Sequence, residues 1–166
     1  EGEKSIRERI EKASGSRGTT TSGAILAACG ALDLESVAVA APYVEEVSVK
    51  LGEFLEEGGF RVTRVYPMEL EEGIAEVSAD EVVRVGLEAN SEDADGLVIS
   101  CTNLATLEAI PELEERLSKP VVSANQATIW HACKLAEVDR EGGGIGRLCR
   151  TNRRIPAHIL KRLSLV

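Results

Sequence analysis

Histidine is scarce in this chain: His131 and His158 are the only two among 166 residues. A zinc centre built on imidazole is therefore not expected. The four cysteines, Cys29, Cys101, Cys133 and Cys149, form no CxxC and no other metal-ligand spacing, so no metal site is expected. Aromatic residues make up only 3% of the chain, and the net charge is −9. Both argue against nucleic acid as a partner, because a nucleic-acid surface needs cations interleaved with stacking rings. The negative charge also disfavours an anionic membrane. No apolar run is long enough to span a bilayer, and nothing resembles a signal peptide. A cytoplasmic location with reduced thiols is the resulting expectation. A small dianionic substrate stays open, since local N–H groups can bind carboxylates on an acidic protein.

What is present is ordinary for a globular protein. Apolar residues are 43% and charged residues 28%, enough for one core and one domain, or one and a part. Ile6 and Ile10, interleaved with Lys and Glu, predict an amphipathic helix ending near Ser14-Gly15. Ala24 to Leu34 reads as a small-residue helix capped by Ser22 or Thr21. Cys29 sits within it as packing. Strands are predicted near 36–41, 61–65, 94–100 and 120–123. Helices alternate with them at 44–57, 78–89, from Leu104 to about Leu117, and at 125–136. Gly58-Gly59 suits a left-handed helix stop. On the last helix Ile129, Ala132, Cys133 and Ala136 share a face, expected to pack inward. Glu141 to Gly146 reads as a mobile connection, since it lacks the Lys-Ser/Thr of a phosphate loop. The tail from Arg147 to Arg162 is basic, which helps to neutralise an acidic chain.

This strict alternation gives an α/β fold with a parallel four-stranded sheet and helices on both faces. The organising stretch is Leu97-Val98-Ile99-Ser100-Cys101-Thr102-Asn103. It reads as a buried strand handing over to a helix, with Cys101 at the strand's carboxyl end and beside the helix N-terminus. Ligands bind along that edge in open α/β sheets, and free N–H groups there favour a thiolate. Left to itself, Cys101 is either a small buried hydrophobe or a reactive thiol. Tyr43 follows the first strand as Cys101 follows the third, and Asn125 and Gln126 follow the fourth, so all approach one edge. Tyr43 is either a residue at the start of a helix or a hydroxyl donor, and Thr102 and Asn103 add polar groups.

Two blocks carry a resemblance. Ser100-Cys101-Thr102-Asn103-Leu104 with Thr106-Leu107 and Ile110 is one; the other runs from Lys119-Pro120-Val121-Val122-Ser123 through Asn125-Gln126-Ala127-Thr128 and Trp130-His131-Ala132. Together they resemble the maleate cis-trans isomerases of the aspartate/glutamate racemase superfamily, which includes arylmalonate decarboxylase. The resemblance runs from about Ile6 to Arg150. It implies a cofactor-independent isomerase acting on a small carboxylate or dicarboxylate, with Cys101 as the catalytic cysteine. Ala41-Pro42-Tyr43 is similar to the family's Thr-Pro-Tyr, which makes Tyr43 a substrate contact beside Thr102 and Asn103. Thr19-Thr20-Thr21 resembles a threonine-rich segment between two pseudo-symmetric lobes, which makes Thr20 and Thr21 further candidates. His131 is expected to be buried or to contact the other lobe rather than to catalyse.

In the isomerases a second cysteine faces the first across the substrate, and the resemblance places it upstream of Glu1. Arylmalonate decarboxylase has its proton-donating cysteine at the Cys101 position and none opposite. A decarboxylase of that kind, or another one-cysteine enzyme of the superfamily, is therefore the first alternative. A non-catalytic carboxylate-binding domain is the second. The expected layout is a remnant of the first lobe over 1–34, a complete α/β lobe over 35–124, and a return to the first lobe over 125–166. The outer segments are expected to pack away from the sheet, with exposed apolar surface favouring a homo-oligomer. The chain opens without methionine and is expected to be a fragment. Leu70-Glu71-Glu72-Gly73 stands where the isomerases carry an Asp-Asn pair, and its carboxylates would repel a dicarboxylate.

Overall fold

The computed structural model describes residues 2–138, 145–151 and 153–163. Four parallel strands, β1 (Ser36–Ala41), β2 (Arg61–Pro67), β3 (Gly96–Ile99) and β4 (Val121–Ser123), form one sheet in the order β2-β1-β3-β4. The predicted strands are all present. β3 is shorter than expected at both ends, and β2 runs two residues further, through Pro67.

Side chains alternate across a strand, so each strand feeds two cores. Val37, Val39, Val98 and Val122 pack beneath α2 (Thr21–Ala31), α3 (Glu45–Glu57) and α6 (Ala124–Leu135). Ala38, Ala40, Leu97, Ile99 and Val121 face α4 (Ala79–Ala89) and α5 (Ala109–Leu117). The expectation that the segments 1–34 and 125–166 pack away from the sheet is not met by their helices α2 and α6. α2 and α6 lie directly on it, and Leu148 of α7 (Gly146–Arg150) and Ile159 of α8 (Ala157–Arg162) join the same core. The small residues of α2 explain this: Ala24, Ala27, Ala28 and Ala31 are fully buried and bring the helix close to its neighbours.

Two helices turn opposite faces to the core from those their apolar spacing suggested. In α1 (Gly2–Ser14), Ile6 and Ile10 are exposed, whereas Arg7 is buried and bonds Glu11 at 3.1 and 3.2 Å. In α6 the face carrying Ile129, Ala132, Cys133 and Ala136 turns outward, and Gln126, Ala127, Trp130 and His131 turn in. Ser123 and Gln126 cap one another reciprocally at the helix start. That capping box satisfies two backbone donors of the first turn and fixes where the helix begins. The N-cap of α2 is likewise Thr20, not Thr21 or Ser22: its hydroxyl accepts the Gly23 N–H at 3.0 Å.

The helix after Cys101 starts at Ala109 rather than Leu104. Pro111 accounts for the delay. In the first turn its missing N–H costs nothing, but in a helix begun near Leu104 it would break an internal hydrogen bond. Gly59, at φ +95°, provides the expected left-handed stop after α3. Glu141 to Gly144 of the expected mobile connection lie outside the described residues.

His131 is 1% exposed, and its Nδ1 lies 2.7 Å from the Thr19 hydroxyl. Burial, reinforced by the Arg7 charge, brings it down to about 4. An unfolded histidine titrates near ~6.5, so the folded chain binds fewer protons between the two values. Stability is therefore full above about pH 6.5 and falls as the pH drops towards about 4, by roughly 2–3 kcal/mol from this residue. Urea unfolding from pH 7.5 to 4.5 checks this: the midpoint should fall, and His131→Asn should flatten the fall.

Candidate functional site

The strand order reverses direction between β1 and β3, since β2 follows β1 on one side and β3 joins it on the other. A crevice opens at the carboxyl ends of the strands flanking such a reversal. Tyr43 follows β1 and Cys101 follows β3, so the chain sets both beside it. The Ser100 N–H binds the Ala40 carbonyl at 2.9 Å and continues the pairing of the two strands up to the cysteine.

Cys101 is 7% exposed and belongs to the α4/α5 core. Its backbone adopts φ +124°, in a region that L-residues rarely occupy. Such strain costs of order 1–3 kcal/mol and clusters at functional sites. The sulfur accepts the Asn103 N–H at 3.4 Å. The expected helix N-terminus is not there, because Ala109 begins α5 well downstream. The N–H groups beside Cys101 belong instead to a tight turn. Thr102 and Asn103 are exposed on that turn, and the Asn125 amide donates to the Thr102 carbonyl at 3.0 Å.

Burial pushes the Tyr43 phenol up to about 12; the nearby Cys101 adds to this and the nearby Ser100 opposes it. Tyr43 thus keeps its proton at neutral pH and serves as a donor. Its backbone is fixed from two directions. The Ser48 hydroxyl donates to the Tyr43 carbonyl at 3.2 Å, and the loop after β2 bonds the same segment through Glu69 N–H (3.3 Å) and Leu70 N–H to Pro42 O (2.9 Å).

Met68, Ile74 and Val77 of that loop are partly buried against the same core as Cys101, as are Tyr43 and Tyr66. Glu71 and Glu72, expected to repel a dicarboxylate, are exposed to solvent. Thr20 and Thr21 are occupied elsewhere: Thr20 donates to Glu3 at 3.0 Å, and Thr21 accepts from Thr128 at 3.2 Å. Among the described residues neither hydroxyl has a hydrogen bond to Cys101, and no group of three or more His, Cys, Asp or Glu is placed to hold a metal ion.

The site therefore joins a thiol able to exchange a proton, a phenol and turn N–H groups able to hold an oxyanion, and an apolar flank. Neither apolar spacing nor any motif marks Ser100, Asn125 or the Met68–Val77 loop as part of the site. Asn125 was visible as the residue after β4 on the same edge, but nothing in spacing marks a bond to a turn carbonyl.

Comparison with known proteins identifies relatives of this chain. Arylmalonate decarboxylase of Bordetella bronchiseptica is 37% identical over 139 residues, which cover 81% of this chain and 56% of that protein. Maleate isomerase of Pseudomonas putida is 27% identical over 132 residues, 78% of this chain and 53% of that protein. The crystal structure of a double mutant of arylmalonate decarboxylase in a liganded form superposes with a TM-score of 0.82 at 34% identity, covering 87% of this chain and 63% of that one. The chain spans about half the length of the curated relatives it matches. A family model described as arylmalonate decarboxylase matches residues 2–149. By that match, with Cys101 at the strand end where the resemblance put it, the chain belongs to the arylmalonate decarboxylase family.

Proposed function

We propose that Cys101 is the proton-transferring group of a decarboxylase acting on a malonate with an apolar substituent. The observation that carries this reading is that Cys101 and Tyr43 follow adjacent strands at one sheet edge and share one apolar core with Met68, Ile74 and Val77. One carboxylate of the malonate is held by the Tyr43 hydroxyl and by turn N–H groups other than that of Asn103, which stays on the sulfur, and the substituent lies against the apolar side chains of that core. The bond from the α-carbon to the other carboxylate breaks, CO2 leaves, and the electron pair passes into an enediolate. The Cys101 thiol gives its proton to the α-carbon, and the resulting thiolate is reprotonated by solvent. The oxyanion donors act where the charge develops.

Maleate isomerisation, the other enzymatic expectation, calls for polar groups around both carboxylates. The apolar flank supports the malonate reading over it. In either case the wall opposite Cys101 is assigned to the part of the relatives' length that this chain does not match. The test is an assay in D2O of the protein carrying this chain, with an aryl-substituted malonate and with maleate. The expected result is the decarboxylated acid with one deuterium on the α-carbon. Fumarate from maleate would move the reading to the isomerase, and no turnover with protected thiol labelling would leave a carboxylate-binding domain.

A further inference from the structure

The turn after Cys101 contains one peptide unit held at both ends. The Thr102 carbonyl accepts the Asn125 amide at 3.0 Å, and the Asn103 N–H points to the Cys101 sulfur at 3.4 Å. That carbonyl and that N–H belong to the same planar, trans peptide, in which they point in opposite directions. Fixing one end aims the other. A hydrogen bond to a carbonyl also polarises the N–H of its own amide and makes it a better donor.

We infer that Asn125 is a positioning residue of the Cys101 site: by anchoring the Thr102 carbonyl it aims the Asn103 N–H at the sulfur. The strain at Cys101 (φ +124°) gives this anchor its purpose. A residue in that conformation leaves it unless its surroundings hold it, and the turn that follows Cys101 is otherwise exposed at Thr102 and Asn103. Asn125 reaches across from the start of α6, in a first turn that the Ser123–Gln126 capping box closes. The tether therefore runs from a rigid helix to a strained turn.

The inference rests on the reading of Cys101 as the reacting group, and the test keeps the two apart. Alkylation of each cysteine by iodoacetamide at pH 7.5 is followed by peptide mass spectrometry in wild type, Asn125→Ala, Asn125→Asp and Asn125→Gln. Asp keeps the shape but cannot donate to a carbonyl, Ala lacks both, and Gln retains the amide donor. Loss of one hydrogen bond to a thiolate should slow Cys101 about tenfold in Ala and Asp, with Gln recovering most of the rate. The thermal midpoint and the rate at half-exposed Cys133 should stay at wild-type values, because the freed Thr102 carbonyl lies on an exposed turn. A purely structural role would instead move the midpoint and leave the Cys101 rate alone. A wild-type Cys101 rate in both Ala and Asp, or equal slowing in Gln, would overturn the inference. Failure of the reacting-group reading shows separately, in the wild-type protein, as a Cys101 that labels no faster than Cys29.

Discussion

Replacing Cys101 by serine is expected to lower turnover by roughly a thousandfold or more while leaving the fold intact. The substitution is nearly isosteric, so the packing of a 7% exposed side chain among Leu104, Ala109 and Ile110 is preserved. The backbone strain at φ +124° is the same for both residues. What changes is the proton: a serine hydroxyl is a far weaker acid than a thiol and cannot hand its proton to a developing carbanion. Circular dichroism and the thermal midpoint should match wild type, and steady-state kinetics should show the loss in kcat. A variant with more than a tenth of the wild-type kcat would remove Cys101 from the chemistry.

The largest expected loss of stability comes from Glu114→Ala. Glu114 is 5% exposed, and its carboxylate joins three elements. It accepts the Val121 N–H of the edge strand β4 at 3.1 Å and the Arg147 N–H of α7 at 2.9 Å, and it lies 3.6 Å from the Arg150 guanidinium. Alanine leaves two backbone donors without their acceptor, at about 1–3 kcal/mol each. A total of about 3–4 kcal/mol follows. Glu114→Gln retains one accepting oxygen and should lose about half as much. Urea titration checks this as a lowered midpoint at unchanged slope. Cys101 alkylation should be unaffected, because the clamp acts on β4 and α7 rather than on the turn after β3.

The sheet was legible because its signal is local. Ser36 to Ala41 is a continuous run of small and β-branched residues, Leu97 to Ile99 is a continuous apolar run, and both form buried strands. The parallel pairing followed from the helices between them. The position of Cys101 and Tyr43 on one edge was legible for the same reason. Side-chain bonds that override apolar spacing were not. In α1 Arg7, bonded to Glu11, is buried while Ile6 and Ile10 are exposed, and in α6 His131, bonded to Thr19, turns inward while Ile129 turns outward. Pro111 held a signal that went unread: a proline in the first turn of a helix dates its start to Ala109, and so places a turn rather than a helix beside Cys101. The docking of α2 on the sheet depends on how closely its alanines approach it, which composition alone does not reveal.

The most direct measurement of the central claim is peptide-resolved iodoacetamide labelling of the wild-type protein at pH 7.5, with and without an aryl-substituted malonate. Cys29 is fully buried, and burial pushes its thiol up to about 12, so it provides the inert reference. Cys101 should label at least about a hundred times faster than Cys29, and the malonate should slow Cys101 while leaving half-exposed Cys133 unchanged. Labelling of Cys101 no faster than Cys29, or equal labelling with and without the malonate, would contradict it.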